Sequence, residues 1–175
     1  MGETMQNMLV AWQTAMGQWP LGMAVRGVVW VKALLESAHI AAMGLVLFAV
    51  GMICLRLAGL AKEGSLTEMV RRFSPWVWGA LAVVFITGLI LLTGAGNRRG
   101  LPTPMFQLKM VLMVLSILVT AALQLALQSN ASFWELSPAR RISAKLIAPL
   151  CLFLWMFTVC AGRWLAYGYV IFPNG

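Results

Sequence analysis

The chain has 175 residues, 61% of them hydrophobic and 10% charged, with a mean hydropathy of +0.86 and a net charge of +8. Soluble domains carry about a quarter charged residues, so this composition excludes an ordinary water-soluble core. The sequence has no Asp, no phosphate-binding glycine loop and no nucleic-acid motif, which sets aside soluble hydrolases, kinases and DNA-binding modules.

What remains is an all-α, polytopic membrane protein, a four-helix bundle forming one membrane domain over residues 1–175. Four apolar runs, at about 28–57, 75–95, 105–128 and 145–170, reach the ~20 residues that cross a bilayer. Residues 1–24 lack the order of a signal peptide. There Met8, Leu9, Ala11, Trp12, Ala15 and Met16 recur at helical spacing, with Gln6, Gln13 and Gln18 between them. This spacing predicts a short amphipathic helix on the membrane interface. Trp19-Pro20 ends it, because proline biases the preceding residue away from the α region. A second short turn, Leu21 to Gly27, leads into the first span.

The first span carries the one histidine of the chain and the one acid inside an apolar run. At about 100° per residue, Lys32, Glu36, His39 and Met43 fall within about 60° of one another on one face. Ionisable groups in lipid are costly and mark a function or an ion pair. Ala33, Ser37, Gly44 and Gly51 make a second stripe, expected to pack closely against another helix. Residues 58–74 form a charged connection, in which Ser65-x-x-Glu68 reads as a capping box for a short surface helix up to Arg71-Arg72. Ser74-Pro75 then opens the second span, with Trp76 and Trp78 as interfacial aromatics.

Thr93-Gly94-Ala95-Gly96-Asn97 breaks the second span, and Pro102-Thr103-Pro104 leads to the third. There Lys109, Met113, Ser116, Thr120 and Gln124 form one polar stripe, which must face protein or a wet cavity and not lipid. Residues 129–144 form the next loop, anchored by Trp134. The fourth span contains Pro149, where a bend is expected. Arg163 shares a face with Met156, Cys160 and Tyr167; Tyr167 and Tyr169 mark the interface, and Phe172-Pro173-Asn174-Gly175 is a short tail. Cys54, Cys151 and Cys160 show no C-x-x-C or zinc-like spacing, so they read as small hydrophobes.

Basic residues give an orientation. Arg56, Lys62, Arg71 and Arg72 follow the first span, and Arg140, Arg141 and Lys145 precede the fourth; Arg26, Arg98 and Arg99 lie on the other side. The positive-inside rule places the two richer loops in the cytoplasm and both termini outside, in the periplasm for a bacterial inner membrane. Lys32, Glu36, His39, Lys109 and Arg163 then all lie in the outward half. Glu36 neutralises one cation, with Lys32 the nearest. The other two call for an anionic ligand, a lipid headgroup or a wet vestibule, unless the long side chains snorkel to the headgroups. For His39 the alternatives are a haem or metal ligand, or a neutral imidazole bonded to Glu36 or to a third-span hydroxyl.

The sequence Trp30…Leu35-Glu36-x-x-His39-x-x-x-x-Gly44…Leu55-Arg56-Leu57-x-Gly59-Leu60, then Pro75-Trp76-x-Trp78…Thr87-Gly88, then Phe106-x-x-Lys109, resembles a family of bacterial four-helix inner-membrane proteins of unknown function. The resemblance covers residues 19–125. More distantly, a first-span histidine and a lysine early in the third span resemble the copper-resistance D proteins and the HemJ-type protoporphyrinogen oxidases. The latter resemblance implies b-type haem and roles for His39 and Lys109.

Three readings follow. One is a haem b or other anion-binding redox protein, with His39 as axial ligand and Lys109, Arg163 or Lys32 on the propionates. A bis-histidine haem would need a homodimer. The second is a copper-handling or transport protein using His39 and Met43, with Met113 and Met156 on the other polar faces. The third is a non-enzymatic subunit of a membrane complex, or a lipid-binding scaffold.

Overall fold

In a computed structural model, residues 2–60, 65–95, 100–129 and 138–171 are described. They form six helices: α1 (Gly2–Gly17), α2 (Pro20–Gly27), α3 (Val29–Leu57), α4 (Leu66–Gly94), α5 (Pro104–Ser129) and α6 (Pro138–Ile171), with no strand among the described residues. The expectations placed on Lys62, Arg98, Arg99, Trp134 and residues 172–175 lie outside these residues. So do those on the side chains of Arg140, Arg141, Tyr167 and Tyr169. The stretches Val29–Leu57, Leu66–Gly94, Pro104–Gln128 and Lys145–Leu165 are long and apolar enough to cross a membrane.

Local chemistry sets the ends. Trp19 is extended (φ −65°, ψ 151°) and Pro20 opens α2. Val28 is also extended, closing α2 through its amide to the Ala24 carbonyl and starting α3 by accepting from Val31. At the end of α3, Gly59 has φ +80°. The Leu60 amide reaches the Leu55 carbonyl and the Gly59 amide the Arg56 carbonyl, both at 3.0 Å. That is a Schellman C-cap, and it explains why glycine stands in Leu-Arg-Leu-x-Gly-Leu.

Two expectations are corrected along α4. Ser65 does cap, with the Glu68 amide donating to its Oγ at 3.1 Å. However, there is no separate surface helix: α4 runs without a break from Leu66 through Pro75. The reason is a buried face that ignores the proline, with Leu66, Val70, Ser74, Val77, Ala80, Leu81 and Val84 all turned inward at helical spacing. Packing along this face outweighs the one hydrogen bond that Pro75 cannot make. Similarly, α6 begins at Pro138, inside the expected loop, and continues through Pro149.

The chain forms two compact units. The first comprises Met1–Ala42, Ala82–Val111 and Val159–Gly175; the second comprises Met43–Leu81 and Leu112–Thr158. Each long helix contributes a segment to both.

In the first unit the N-terminal helices are held by an unexpected residue. Gln13, placed by periodicity on the polar side of α1, is 1% exposed, whereas Met8 and Trp12 are exposed. Its Nε2 donates to the carbonyls of Leu92 (2.8 Å) and Ala95 (2.6 Å), and its Oε1 accepts from the Leu101 amide (3.1 Å). Carbonyls at a helix C-terminus run out of α-helical donors; Leu92 keeps the Ala95 amide at 3.1 Å, and the carboxamide adds a donor to it and to Ala95 just beyond the helix. Gln13 alone leaves the polar side of α1, on which Gln6 and Gln18 stay exposed. Around it the packing leaves no space at three glycines. A Cβ on Gly100 would collide with the Gln13 carboxamide, and one on Gly94 with Val25. One on Gly22 would stand 2.7 and 2.8 Å from the Met16 and Thr93 carbonyls. Arg26 also donates to the Gly17 carbonyl.

In the second unit the α5 stripe turns inward as expected: Ser116 is 0%, Thr120 1% and Gln124 3% exposed. Ser116 lies 3.2 Å from the Thr158 hydroxyl. Trp155 Nε1 donates to Thr120 Oγ1, and Trp78 Nε1 donates to Gln124 Oε1, each at 2.9 Å. The same helix shows Val111, Val114, Leu115, Leu118 and Leu125 outward. Polar groups inside and branched apolar groups outside is the arrangement lipid selects and water does not.

Of the small-residue stripe of α3, Gly51 packs within the chain, where a Cβ would touch Leu152 at 3.8 Å, and the other three do not turn inward. Ala33, Ser37 and Gly44 are exposed, and a Cβ on Gly44 would meet nothing. The inward line instead runs through Ala42, Met43, Val46, Val50, Ile53 and Leu57.

Candidate functional site

The first unit brings His39 together with Thr87 and Gly88, and it also holds Lys109. His39 comes from α3, Thr87 and Gly88 from α4, and Lys109 from α5. His39 Nδ1 lies 2.8 Å from Thr87 Oγ1. The Thr87 hydroxyl has one proton, and the Val83 carbonyl takes it at 2.6 Å, with the Val84 carbonyl at 3.2 Å. Thr87 therefore accepts from the imidazole. This assigns the proton of neutral His39 to Nδ1 and puts the ring's lone pair on Nε2. The partner is thus a second-span hydroxyl, not Glu36 or a third-span hydroxyl. A threonine at this point in an apolar helix is the signal that was available in the sequence.

Gly88 makes the room. A Cβ there would stand 3.3 Å from His39 Cε1, tighter than ordinary contact, so the bare backbone lets the ring approach α4. The Thr87-Gly88 pair thus does two jobs on consecutive residues: one fixes the tautomer and the other admits the ring.

Lys109 is half-buried and comes from the α5 segment of the same unit. Its stem crosses α6 at Gly162, where a Cβ would lie 3.5 Å from Lys109 Cε and 3.6 Å from Nζ. Among the described residues, no carboxylate pairs with it. The ion pair that does form is Lys32–Glu36, at 3.8 Å, with the two side chains 47% and 52% exposed. The expected four-residue stripe is therefore divided. His39 and Met43 point inward, whereas Lys32 and Glu36 sit on the rim and neutralise each other.

Arg163 is exposed, as are Met156 and Cys160 on the same helix, so the face they share is an outward one. Met43 is buried and belongs to the second unit, as does Met113. Among the described residues, no three His, Cys, Asp or Glu side chains are grouped as a metal ion would require. The arrangement can present a neutral imidazole lone pair beside one unneutralised ammonium. Comparison with protein-family models, with curated proteins and with solved structures returned no match.

Proposed function

We propose that this multi-pass membrane protein binds haem b through His39, with Lys109 answering a propionate, and serves a redox role. The observation that carries this reading is the contact of His39 Nδ1 with a Thr87 hydroxyl whose own proton goes to the Val83 carbonyl, so that the ring's lone pair falls on Nε2. Histidine ligands generally hold a metal through one ring nitrogen while the other donates a hydrogen bond. Haem brings four of its own nitrogen ligands, so one protein donor is enough. A bare copper ion needs two or more from the protein, and His39 with Met43 offers a weaker set. Charge supports an anionic ligand. Glu3 and Glu36 are the acids within the first unit's residues, against Arg26, Lys32, Arg98, Arg99, Lys109 and Arg163. Bound haem supplies one-electron chemistry at its iron. His39 holds and orients, Thr87 fixes the tautomer, and Lys109 places one carboxylate. With one histidine per chain, a second axial histidine would come from a second copy.

The test is absorption spectroscopy of protein purified after haem-supplemented expression. Wild type should show a Soret band that His39→Ala lacks. Lys109→Gln should keep the band but hold haem more weakly, and this difference should vanish with haem dimethyl ester, which has no propionate charge. Wild type that takes up no haem, or His39→Ala that binds it equally well, overturns the reading.

A further inference from the structure

Helix α1 turns three different sides to its surroundings. Leu9, Gln13, Met16 and Gly17 fall within about 100° of one another at ~3.6 residues per turn. The first unit covers them wholly or in part, and every other described position of α1 is exposed. Met5, Met8, Trp12 and Ala15 lie about 80–160° to one side of Gln13. Glu3, Asn7 and Thr14 lie about 80–120° to the other side, with Val10 between them and the covered line. One exposed flank is thus apolar and the other polar, and the line that the protein holds runs between them.

The two flanks are separated around the helix and not along it. A helix rising out of a membrane would change character from one end to the other. A helix lying in the boundary has one side in each medium, and that is the pattern of α1. Its attachment puts it at such a boundary. Gln13 bonds to the Leu92 and Ala95 carbonyls and to the Leu101 amide, where the long apolar helix α4 ends. Three bonds to one carboxamide also fix the roll of α1 about its axis. Trp19, Trp30 and Trp164 are exposed in the same unit, and tryptophan gathers where a membrane meets water.

We propose that the Met5–Met8–Trp12 flank is a lipid-docking surface. Helix α1 lies in the membrane boundary beside the end of α4, with this flank among the upper acyl chains and Glu3, Asn7 and Thr14 in water. Gln13 sets the roll that divides them. The residue types suit lipid: flexible thioethers adapt to a fluid surface, and an indole has an apolar body with a polar tip. α1 carries no Lys or Arg, and its one acid is Glu3. Apolar area therefore holds it, not attraction to anionic headgroups. The surface stands apart from His39 and from any haem.

The experiment uses the full-length chain in phosphatidylcholine nanodiscs, spin-labelled at single cysteines introduced into Cys160→Ser. Cys54 and Cys151 are buried and escape the label. Collisions with dissolved oxygen, which concentrates in lipid, are compared with collisions with a nickel chelate, which stays in water. Met5→Cys, Met8→Cys and Trp12→Cys should show an oxygen-to-chelate ratio several-fold above that of Asn7→Cys and Thr14→Cys. All these positions are exposed, so folding is not at stake. Adding phosphatidylglycerol should leave the pattern unchanged. Equal chelate access on both flanks overturns the proposal. So does a Met5–Trp12 flank shielded from both reagents, which a second copy or another protein would produce, and so does oxygen favoured on both flanks, which would mean an immersed helix. A pattern that needs phosphatidylglycerol overturns the apolar basis of docking. In Gln13→Leu the contrast between the flanks should shrink, and an undiminished contrast overturns the part given to Gln13.

Discussion

Thr87 is the residue on which the candidate site turns. It accepts from His39 and donates to its own helix, and valine has the same shape without either function. In Thr87→Val the imidazole N–H loses its hydroxyl partner in a place that water reaches poorly. Leaving a buried donor unsatisfied costs about 1–3 kcal/mol. Thr87→Val should therefore lower the thermal midpoint of the protein in detergent, and Thr87→Ser should restore it. If haem is bound, Thr87→Val should also weaken retention by roughly 10–100-fold, as loss of a ligand's outer hydrogen bond does. Equal midpoints for Thr87→Val and wild type would show that the hydrogen bond orients nothing. Gln13 offers a second check at this scale. Gln13→Leu keeps the bulk but removes three hydrogen bonds that hold α1 to the end of α4. Hydrogen exchange should rise in α1 and at residues 100–103, while the second unit's helices stay protected.

Two serines separate the expected from the observed course of α4. If Ser74-Pro75 opened a helix, Ser74→Ala would remove a cap and cost about 1 kcal/mol. In the structure Ser74 lies inside α4, and its hydroxyl is buried without a hydrogen-bond partner. Ser74→Ala should therefore be neutral or stabilising, and Ser65→Ala, which removes the observed cap, should carry the cost of about 1 kcal/mol. Denaturation of the two variants side by side decides it. A larger loss in Ser74→Ala would restore the two-helix reading. The spans and the α5 stripe were legible because lipid enforces one rule on every turn, and Ser116, Thr120 and Gln124 obey it. What sequence could not supply is the choice between faces that all satisfy that rule. The Ala33–Ser37–Gly44 stripe was as plausible an interface as the line through Val46 and Val50, and only packing distinguishes them. Proline and glutamine misled for the opposite reason. Local preference put Pro75 at a helix start and Gln13 on a polar surface, and tertiary contacts overrode both. His39 and Lys109 were legible because charge in lipid is conspicuous. Thr87 and Gly88 stood together in the family-like pattern, but nothing in a threonine and a glycine of an apolar helix names the side chain that they serve.

At the scale of the molecule, charge divides along the two units much as the loops do. The second unit's residues hold Arg56, Lys62, Arg71, Arg72, Arg140, Arg141 and Lys145; outside the spans, the first holds Arg26, Arg98 and Arg99. Basic residues are retained in the cytoplasm during insertion. We propose that this bias turns His39 and Lys109 toward the outer face and, with four spans, leaves both ends of the chain outside. The prediction is tested with reporters that work on opposite sides of a bacterial inner membrane. Alkaline phosphatase fused after Gly175 should be active and a fluorescent protein there dark. The same reporters placed after Leu60 should give the reverse. A fluorescent fusion at Gly175 with no phosphatase activity would invert the molecule. The His39 site would then face the cytoplasm, where its ligand would have to be a cytoplasmic anion or a cofactor delivered from within. Reversal should also be inducible. Replacing Arg71, Arg72, Arg140 and Arg141 with Gln leaves three basic residues in each group, Arg56, Lys62 and Lys145 against Arg26, Arg98 and Arg99. Equal charge removes the bias, so this variant should give phosphatase activity and fluorescence from mixed populations at Gly175. A variant still wholly oriented would show that something other than loop charge sets the direction of insertion.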